Sequence, residues 1–134
     1  GNRGPEPGSI TAPGCSKKVI TVGSSDMLLG KTAISGRGPT FECVCKPDLV
    51  APGVDITSCA PGGGYVTRSG TSMAAPFVTG GAALLMQWGI VDKNDPYLYG
   101  EKMKAYLIKG ARRLPAMRDY PNPVFGDNGI IVSS

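Results

Sequence analysis

The sequence predicts an α/β fold in which short buried strands pack against one long apolar helix. Two apolar runs that end near a glycine, residues 18–24 and 48–53, predict the strands. Residues 71–90 carry no charged side chain and are apolar on nearly every face, which predicts a helix surrounded by protein. The 20 glycines and 12 prolines are scattered among these runs without a period. That pattern excludes a collagen-like chain and is typical of a loop-rich globular domain.

Further strands and loops follow from local turn signals. Residues 1–13 and 33–39 are rich in turn-forming side chains and predict loops. Residues 54–59 predict a short strand after a Pro-Gly turn, residues 65–68 the end of a hairpin, and residues 129–132 an edge strand. No internal repeat or interior linker divides the chain, so we expect one domain or one piece of a domain.

A second helix is predicted over residues 96–109. Asn94 or Asp95 provides a cap, Pro96 suits the first helical position, and Gly110 is a natural stop. Its apolar side is expected to consist of Tyr97, Met103, Tyr106 and Leu107.

Length and composition set the class of protein. The chain has 134 residues, of which 41% are hydrophobic and 18% charged, so a disordered tail or a coiled coil is not expected. A chain of this length buries roughly two thirds of its surface on folding, enough for a core. The long apolar run at 71–90 contains Pro76 and Gln87 and is rich in glycine and alanine. This content favours a core helix over a membrane span.

Charged and sulfur-containing side chains point to no specific partner. The net charge is +4, but the basic residues are spread along the chain and occur in short pairs without interleaved aromatics. A solvated surface is therefore favoured over a nucleic-acid or membrane site. Four cysteines, an even count, permit a disulfide framework, but no C-x-x-C pair is present and we favour free, mostly buried thiols. They are Cys15, Cys43, Cys45 and Cys59.

The chain contains no histidine. It therefore lacks the base of a Ser-His-Asp or Cys-His arrangement and the commonest metal ligand. Any such chemistry has to be completed from outside these residues.

The strongest chemical signal is the segment Ser69–Pro76, in which a glycine turn delivers Ser72 to the first turn of the apolar helix. Unpaired backbone N–H groups and the helix dipole make that end electropositive. An oxyanion formed by attack of the Ser72 hydroxyl on a carbonyl would find hydrogen-bond donors there. The alternative is that Thr71 or Ser72 merely caps the helix.

The segment G-T-S-M-A-A-P at residues 70–76 resembles the nucleophile motif of the subtilisin-like serine proteases, the subtilases. Other matching segments follow the family order: Gly1-Asn2, residues 19–24, S-G-R-G-P at 35–39 and K-P-D-L-V-A-P-G at 46–53. The resemblance implies the C-terminal portion of a mostly parallel sheet, with a buried central helix that starts at the nucleophile serine. Phe77 stands where subtilases usually have a histidine that is not the catalytic one.

The resemblance also assigns roles to individual residues. Ser72 matches the nucleophile, and Asn2 matches the asparagine whose side-chain amide donates to the oxyanion, with the Ser72 backbone N–H as second donor. The substrate-binding positions it implies are Thr11, Ala12, Pro13, Gly14, Gly70 and Thr71.

In the family order an aspartate and a histidine precede the asparagine and the serine, and this sequence starts at the asparagine. We therefore expect residues 1–134 to be the C-terminal part of a subtilase catalytic domain and to be inactive alone. Its expected partners are a peptide or protein substrate and the N-terminal half that carries the Asp and His. No metal or cofactor is assigned to these residues, and calcium is left to the complete domain. The alternatives are a non-catalytic subtilase-like binding module and a truncated piece without a function of its own.

Residues 77–90, 94–101 and 120–123 resemble the Csp-type germination proteases of anaerobic spore-forming bacteria. That resemblance implies limited proteolysis of the precursor of a spore cortex-lytic enzyme. It also implies a spore-associated or secreted location.

Overall fold

The computed structural model describes residues 1–26, 35–40 and 45–112. Four strands and two α-helices lie in this part of the chain. They are β1 (Val22–Ser25), β2 (Leu49–Pro52), β3 (Ile56–Cys59), β4 (Tyr65–Arg68), α1 (Thr71–Met86) and α2 (Glu101–Gly110). A π-helical turn, Gln87–Val91, continues directly from α1. The expected strand at 129–132 lies outside the described residues.

The sheet that carries the core is the parallel pair of β1 and β2, in which Val22 is opposite Leu49 and Ser25 is opposite Pro52. Leu49, Val50 and Ala51 are all buried, as expected for a parallel strand that is covered on both faces. α1 packs against both strands. The predicted α/β fold class is confirmed.

β1 begins at Val22, later than the predicted start at residue 18, because Thr21 is bonded to a side chain. The Thr21 N–H donates to Asp48 Oδ2 over 2.7 Å, so this amide is withdrawn from the strand ladder. β3 and β4 form the predicted hairpin, which is antiparallel and pairs Ile56 with Arg68.

The hydrophobic core lies between the parallel pair and the two helices. Its side chains are at most 5% exposed and come from β2, α1, α2 and the turn before α2. They are Leu49, Ala51, Ala74, Val78, Leu98, Met103 and Leu107. This arrangement fixes the start of α1 against the carboxyl ends of β1 and β2.

The outer face of α1 is apolar and exposed in this chain. Phe77 and Leu84 are 44% and 70% exposed, and Trp88 in the π-helical turn that follows is 46% exposed, while the buried residues of α1 are Thr71, Ala74 and Val78. We expected protein to surround this helix on nearly every face, but within the described residues only one side of the helix is covered. By length and composition alone, Thr71–Val91 is a candidate membrane span, a property that core helices of soluble proteins share.

α2 begins at Glu101, so the predicted start at residue 96 is wrong. Asp95 does not cap the helix; its carboxylate accepts hydrogen bonds from Lys102 Nζ and Tyr106 Oη. The hydrogen bond from Lys102 is the main reason that the pKa of Asp95 is lowered. Leu98, in the intervening turn, is fully buried, and Gly100 has a φ of 61°. The chain is therefore turned inward before the helix starts, which a capping signal at residue 95 does not reveal.

Side-chain predictions for α2 and the cysteines are met in part. Met103 and Leu107 are buried, whereas Tyr97 and Tyr106 are exposed. Cys15, Cys45 and Cys59 are not in disulfide bonds, as predicted, but Cys15 and Cys59 are exposed, so the prediction that they are buried is wrong. Cys43 lies outside the described residues.

Candidate active site

Ser72 lies in the first turn of α1, and its side chain is exposed to solvent. The residue at the N-cap position is Gly70, with a φ of 148°, and no side chain caps the helix from that position. Neither Thr71 nor Ser72 therefore acts as the cap, and the capping interpretation of Ser72 is wrong. Within the described residues the Ser72 hydroxyl has no hydrogen-bond partner, so no base is placed beside it.

The turn before Ser72 is bound to the end of the parallel sheet through Gly53. The Gly53 N–H donates to the Ser25 carbonyl over 2.9 Å, and the Gly53 carbonyl accepts from the Gly70 N–H over 2.7 Å. A Cβ at position 53 would lie 2.4 Å from Ser24 Oγ and 2.7 Å from the Gly70 carbonyl oxygen. The Pro-Gly turn is thus the point where the carboxyl ends of the strands position the turn that carries Ser72.

We expect Gly53→Ala to lower the free energy of unfolding by about 1–3 kcal/mol, the usual cost of overpacking a filled site. The added methyl has to displace Ser24 or the Gly70 backbone, so α1 and Ser72 shift with it. Urea unfolding measures the change. Gly80→Ala is the matched control, because a Cβ there meets nothing within 4 Å and the helix gains about 0.5–1 kcal/mol. Equal stability of the two variants would contradict this role of Gly53.

Asn2 lies at the start of α1 although it is 69 residues away in sequence. Its Oδ1 accepts hydrogen bonds from the Thr71 backbone N–H and the Thr71 hydroxyl, each over 2.9 Å. A backbone N–H can only donate, so the amide atom that faces Thr71 is the oxygen. A Cβ at Gly70 would lie 3.2 Å from Asn2 Nδ2, which places the amide nitrogen beside the Gly70 backbone. Asn2 thereby satisfies one of the unpaired N–H groups at the start of α1 and keeps its own two N–H donors free of described partners.

A cavity of about 300 Å³ opens beside Ser72. Of the predicted site residues, Pro13, Gly14, Thr71 and Ser72 line it, and it is bounded further by Gly1 and Ala75 and by residues 19–22. The other predicted site residues are not part of its lining; they are Asn2, Thr11, Ala12 and Gly70. No lining residue carries a charged side chain, so the cavity is suited to an uncharged, largely apolar group.

The sequence did not predict that residues 19–22 belong to this wall. The available signal was the short distance along the chain from Gly14 to the strand. The Thr21 hydroxyl donates to the Gly14 carbonyl, which draws both segments to one side of the cavity.

Within the described residues, no group of three or more His, Cys, Asp or Glu side chains is placed to hold a metal ion. The geometry brought together by the fold is therefore a serine at an electropositive helix start, an asparagine amide and an apolar cavity. Acyl transfer requires a nucleophile, oxyanion donors and a base, and no base lies beside Ser72 among the described residues.

Comparison with known proteins identifies the family. The model of the subtilase family matches residues 1–127. The chain belongs to the subtilases. This subtilase chain is 38% identical over 133 residues to the serine protease AprX of Bacillus subtilis (strain 168), an alignment that covers 82% of the chain and 28% of AprX. It is 41% identical over 102 residues to an intracellular serine protease of Paenibacillus polymyxa, covering 73% of the chain and 29% of that relative.

Among solved structures, the subtilase chain matches the CspB protease of Clostridium perfringens with a TM-score of 0.86 and 49% identity. The match covers 92% of the chain and 27% of CspB. Sphericase matches with a TM-score of 0.79 and 25% identity over 96% of the chain. These structures confirm the subtilisin-like fold and the Csp-type resemblance. The chain spans less than a third of the length of CspB and of the two curated relatives.

Proposed function

We propose that this chain is the C-terminal part of a serine endopeptidase domain, in which Ser72 is the nucleophile. The observation that carries the proposal is the pairing of Asn2 with Thr71, because it brings an amide donor to the turn that presents an exposed serine. Family membership and the serine-protease relatives support the same reaction class.

The proposed reaction is acyl transfer. Ser72 Oγ attacks the carbonyl carbon of the scissile peptide bond and gives its proton to a base. The oxyanion that forms is stabilised by the Ser72 backbone N–H and by Asn2 Nδ2. Collapse breaks the C–N bond, the base returns the proton to the leaving amine, and the acyl group remains on Ser72. A water molecule then attacks the ester and gives its proton to the base. Collapse breaks the bond to Ser72 Oγ, and the base returns the proton to that oxygen.

The base and its orienting carboxylate have to come from a second segment, since the chain has no histidine. We call the segment that supplies the Asp and His of the family order the complementing segment, and the chain together with it the assembled domain. The exposed apolar face of α1 is a suitable contact surface for it, because an apolar patch of this kind is costly to leave in water.

Complementation tests this proposal directly. The chain alone is expected to show no steady turnover of a peptide amide substrate, because an unassisted serine hydroxyl is a poor nucleophile at pH 7. Fusion to a complementing segment, taken from a longer form of the chain or from a subtilase relative, is expected to restore hydrolysis. Steady turnover by the chain alone, or no turnover by a folded assembled domain, would contradict the proposal.

We further propose that the substrate is a protein precursor processed during spore germination. The likeness to CspB is the support for this step. Limited cleavage of one precursor at one bond, with casein left intact, is the expected result. Non-selective digestion of both proteins would contradict it.

A further inference from the structure

Asp48 is the centre of a buried ionic network that contacts the cavity wall at residues 19–22. Its Oδ2 accepts hydrogen bonds from the Thr21 N–H and Lys46 Nζ, at 2.7 and 2.8 Å. Its Oδ1 pairs with Lys104 Nζ at 2.9 Å. The Asp48 and Lys46 side chains are 6% and 1% exposed, and that of Lys104 is 19% exposed. One carboxylate is therefore shared by two ammonium groups.

Backbone carbonyls of the cavity wall complete this network. Lys46 Nζ donates to the Val19 carbonyl over 2.9 Å, and Lys104 Nζ donates to the carbonyls of Lys17 and Val19 over 3.1 and 3.0 Å. Val19 and Thr21 both line the cavity. The network thus binds the cavity wall through hydrogen bonds to backbone carbonyls.

The two lysines of this network lie on different parts of the fold. Lys46 lies three residues before β2, so it links neighbouring parts of the sheet. Burial lowers the pKa of Lys46, and its hydrogen bond to Asp48 opposes that shift. Lys104 comes from α2, 85 and 87 residues away from the carbonyls that it contacts. It is a direct polar contact between α2 and the wall.

We propose that Lys104 is a positioning residue for the substrate pocket. This inference rests on the proposed function, because it treats the cavity as the pocket for the residue before the cleaved bond. By holding the carbonyls of Lys17 and Val19, Lys104 fixes the distance between the wall at residues 19–22 and the start of α1. α2 thereby sets which side chains the pocket accepts, without touching substrate.

Lys104 can be replaced without leaving the buried carboxylate unpaired, since the Thr21 N–H and Lys46 still bond to Asp48. The test therefore uses Lys104→Met in the assembled domain. Lys102→Met is the matched control, because Lys102 lies on the same helix but pairs with Asp95 at the surface. Lys104→Arg keeps the charge and tests rescue.

The first readout is kinetics on two peptide amides that differ only in having Phe or Ala before the cleaved bond. Lys104→Met is expected to raise KM for the Phe substrate about tenfold, the loss that corresponds to one charge-assisted hydrogen bond. We expect kcat to stay within about twofold, because Ser72 and Asn2 are unchanged. The Ala substrate, Lys102→Met and Lys104→Arg are expected to stay near the wild-type KM.

The second readout is hydrogen exchange of the amides in residues 14–22, which does not depend on activity. Exchange is expected to be faster in Lys104→Met than in the wild type and unchanged in Lys102→Met. Should Lys104→Met not fold, Lys104→Gln, which retains the two N–H donors of an uncharged amide, is expected to show the same changes in smaller degree.

The outcomes separate this inference from the proposed function. If the wild type is active and Lys104→Met gives the same results as Lys102→Met in both readouts, the inference is overturned and the proposed function is not. An equal rise in KM for both substrates would also overturn it, because the effect would then not be on pocket width. If the wild type does not hydrolyse peptides, the proposed function fails and hydrogen exchange decides whether Lys104 braces the wall.

Discussion

Ser72→Ala is expected to abolish peptide hydrolysis by the assembled domain. Loss of the nucleophile removes the acyl-enzyme route altogether and lowers kcat about a millionfold, a magnitude measured on a subtilisin, which is a relative of this chain. Because Ser72 is exposed and its hydroxyl bonds to no described residue, the substitution leaves the fold unchanged. Hydrolysis of a peptide amide measures the loss of activity, and circular dichroism checks that the fold is unchanged.

Ser69→Ala is the control for this experiment. Ser69 is an exposed serine three positions before Ser72, and its hydroxyl accepts a hydrogen bond from the Asp55 N–H over 2.8 Å. It is expected to retain wild-type kcat. Hydrolysis by Ser72→Ala at the rate of Ser69→Ala would show that another group is the nucleophile.

Asn2→Asp is expected to lower kcat about 10²- to 10³-fold, or roughly 3–4 kcal/mol, with little change in KM. This magnitude also comes from a subtilisin. The aspartate retains an oxygen that accepts from the Thr71 N–H and hydroxyl, but it has no amide N–H to donate to the oxyanion. Stability is therefore preserved while transition-state stabilisation is lost. Parallel kinetics and urea unfolding measure the two effects separately.

Asn2→Ala provides the comparison. It removes both the amide donor and the acceptor for Thr71, so it is expected to lose kcat to a similar extent and to lose about 1 kcal/mol of stability as well. If Asn2→Asp retained wild-type kcat, the proposed role of the amide nitrogen would be wrong. If Asn2→Ala were as stable as Asn2→Asp, the hydrogen bond to Thr71 would not stabilise the start of α1.

Much of the fold could be predicted because its boundaries are set by local chemistry. The Pro52-Gly53 turn, the hairpin and the start of α1 are marked by glycine and proline at positions where the backbone requires them. The start of α2 could not be predicted in this way. It depends on burial of Leu98 and on the contacts of Asp95 with the following helix, which are tertiary effects.

The site residues likewise differ in whether the neighbouring sequence indicates them. Ser72 is indicated by its own neighbours, and Asn2 only by resemblance, since nothing in the sequence around residue 2 reveals a hydrogen bond to Thr71. Pro13 and Gly14 line the cavity beside Ser72, while Thr11 and Ala12 do not, and substrate binding at these positions stays a prediction. The role of Lys104 had no local signal, because its hydrogen bonds to the carbonyls of Lys17 and Val19 span 87 and 85 residues.

The central claim is that Ser72 is a nucleophile that becomes activated when a base is supplied. The most direct test is intact mass after exposure to a fluorophosphonate, for the chain alone and for the assembled domain. We expect one adduct on the assembled domain, retained in Ser69→Ala and lost in Ser72→Ala, and none on the chain alone. An assembled domain that is folded but unlabelled, or an adduct that persists in Ser72→Ala, would contradict it.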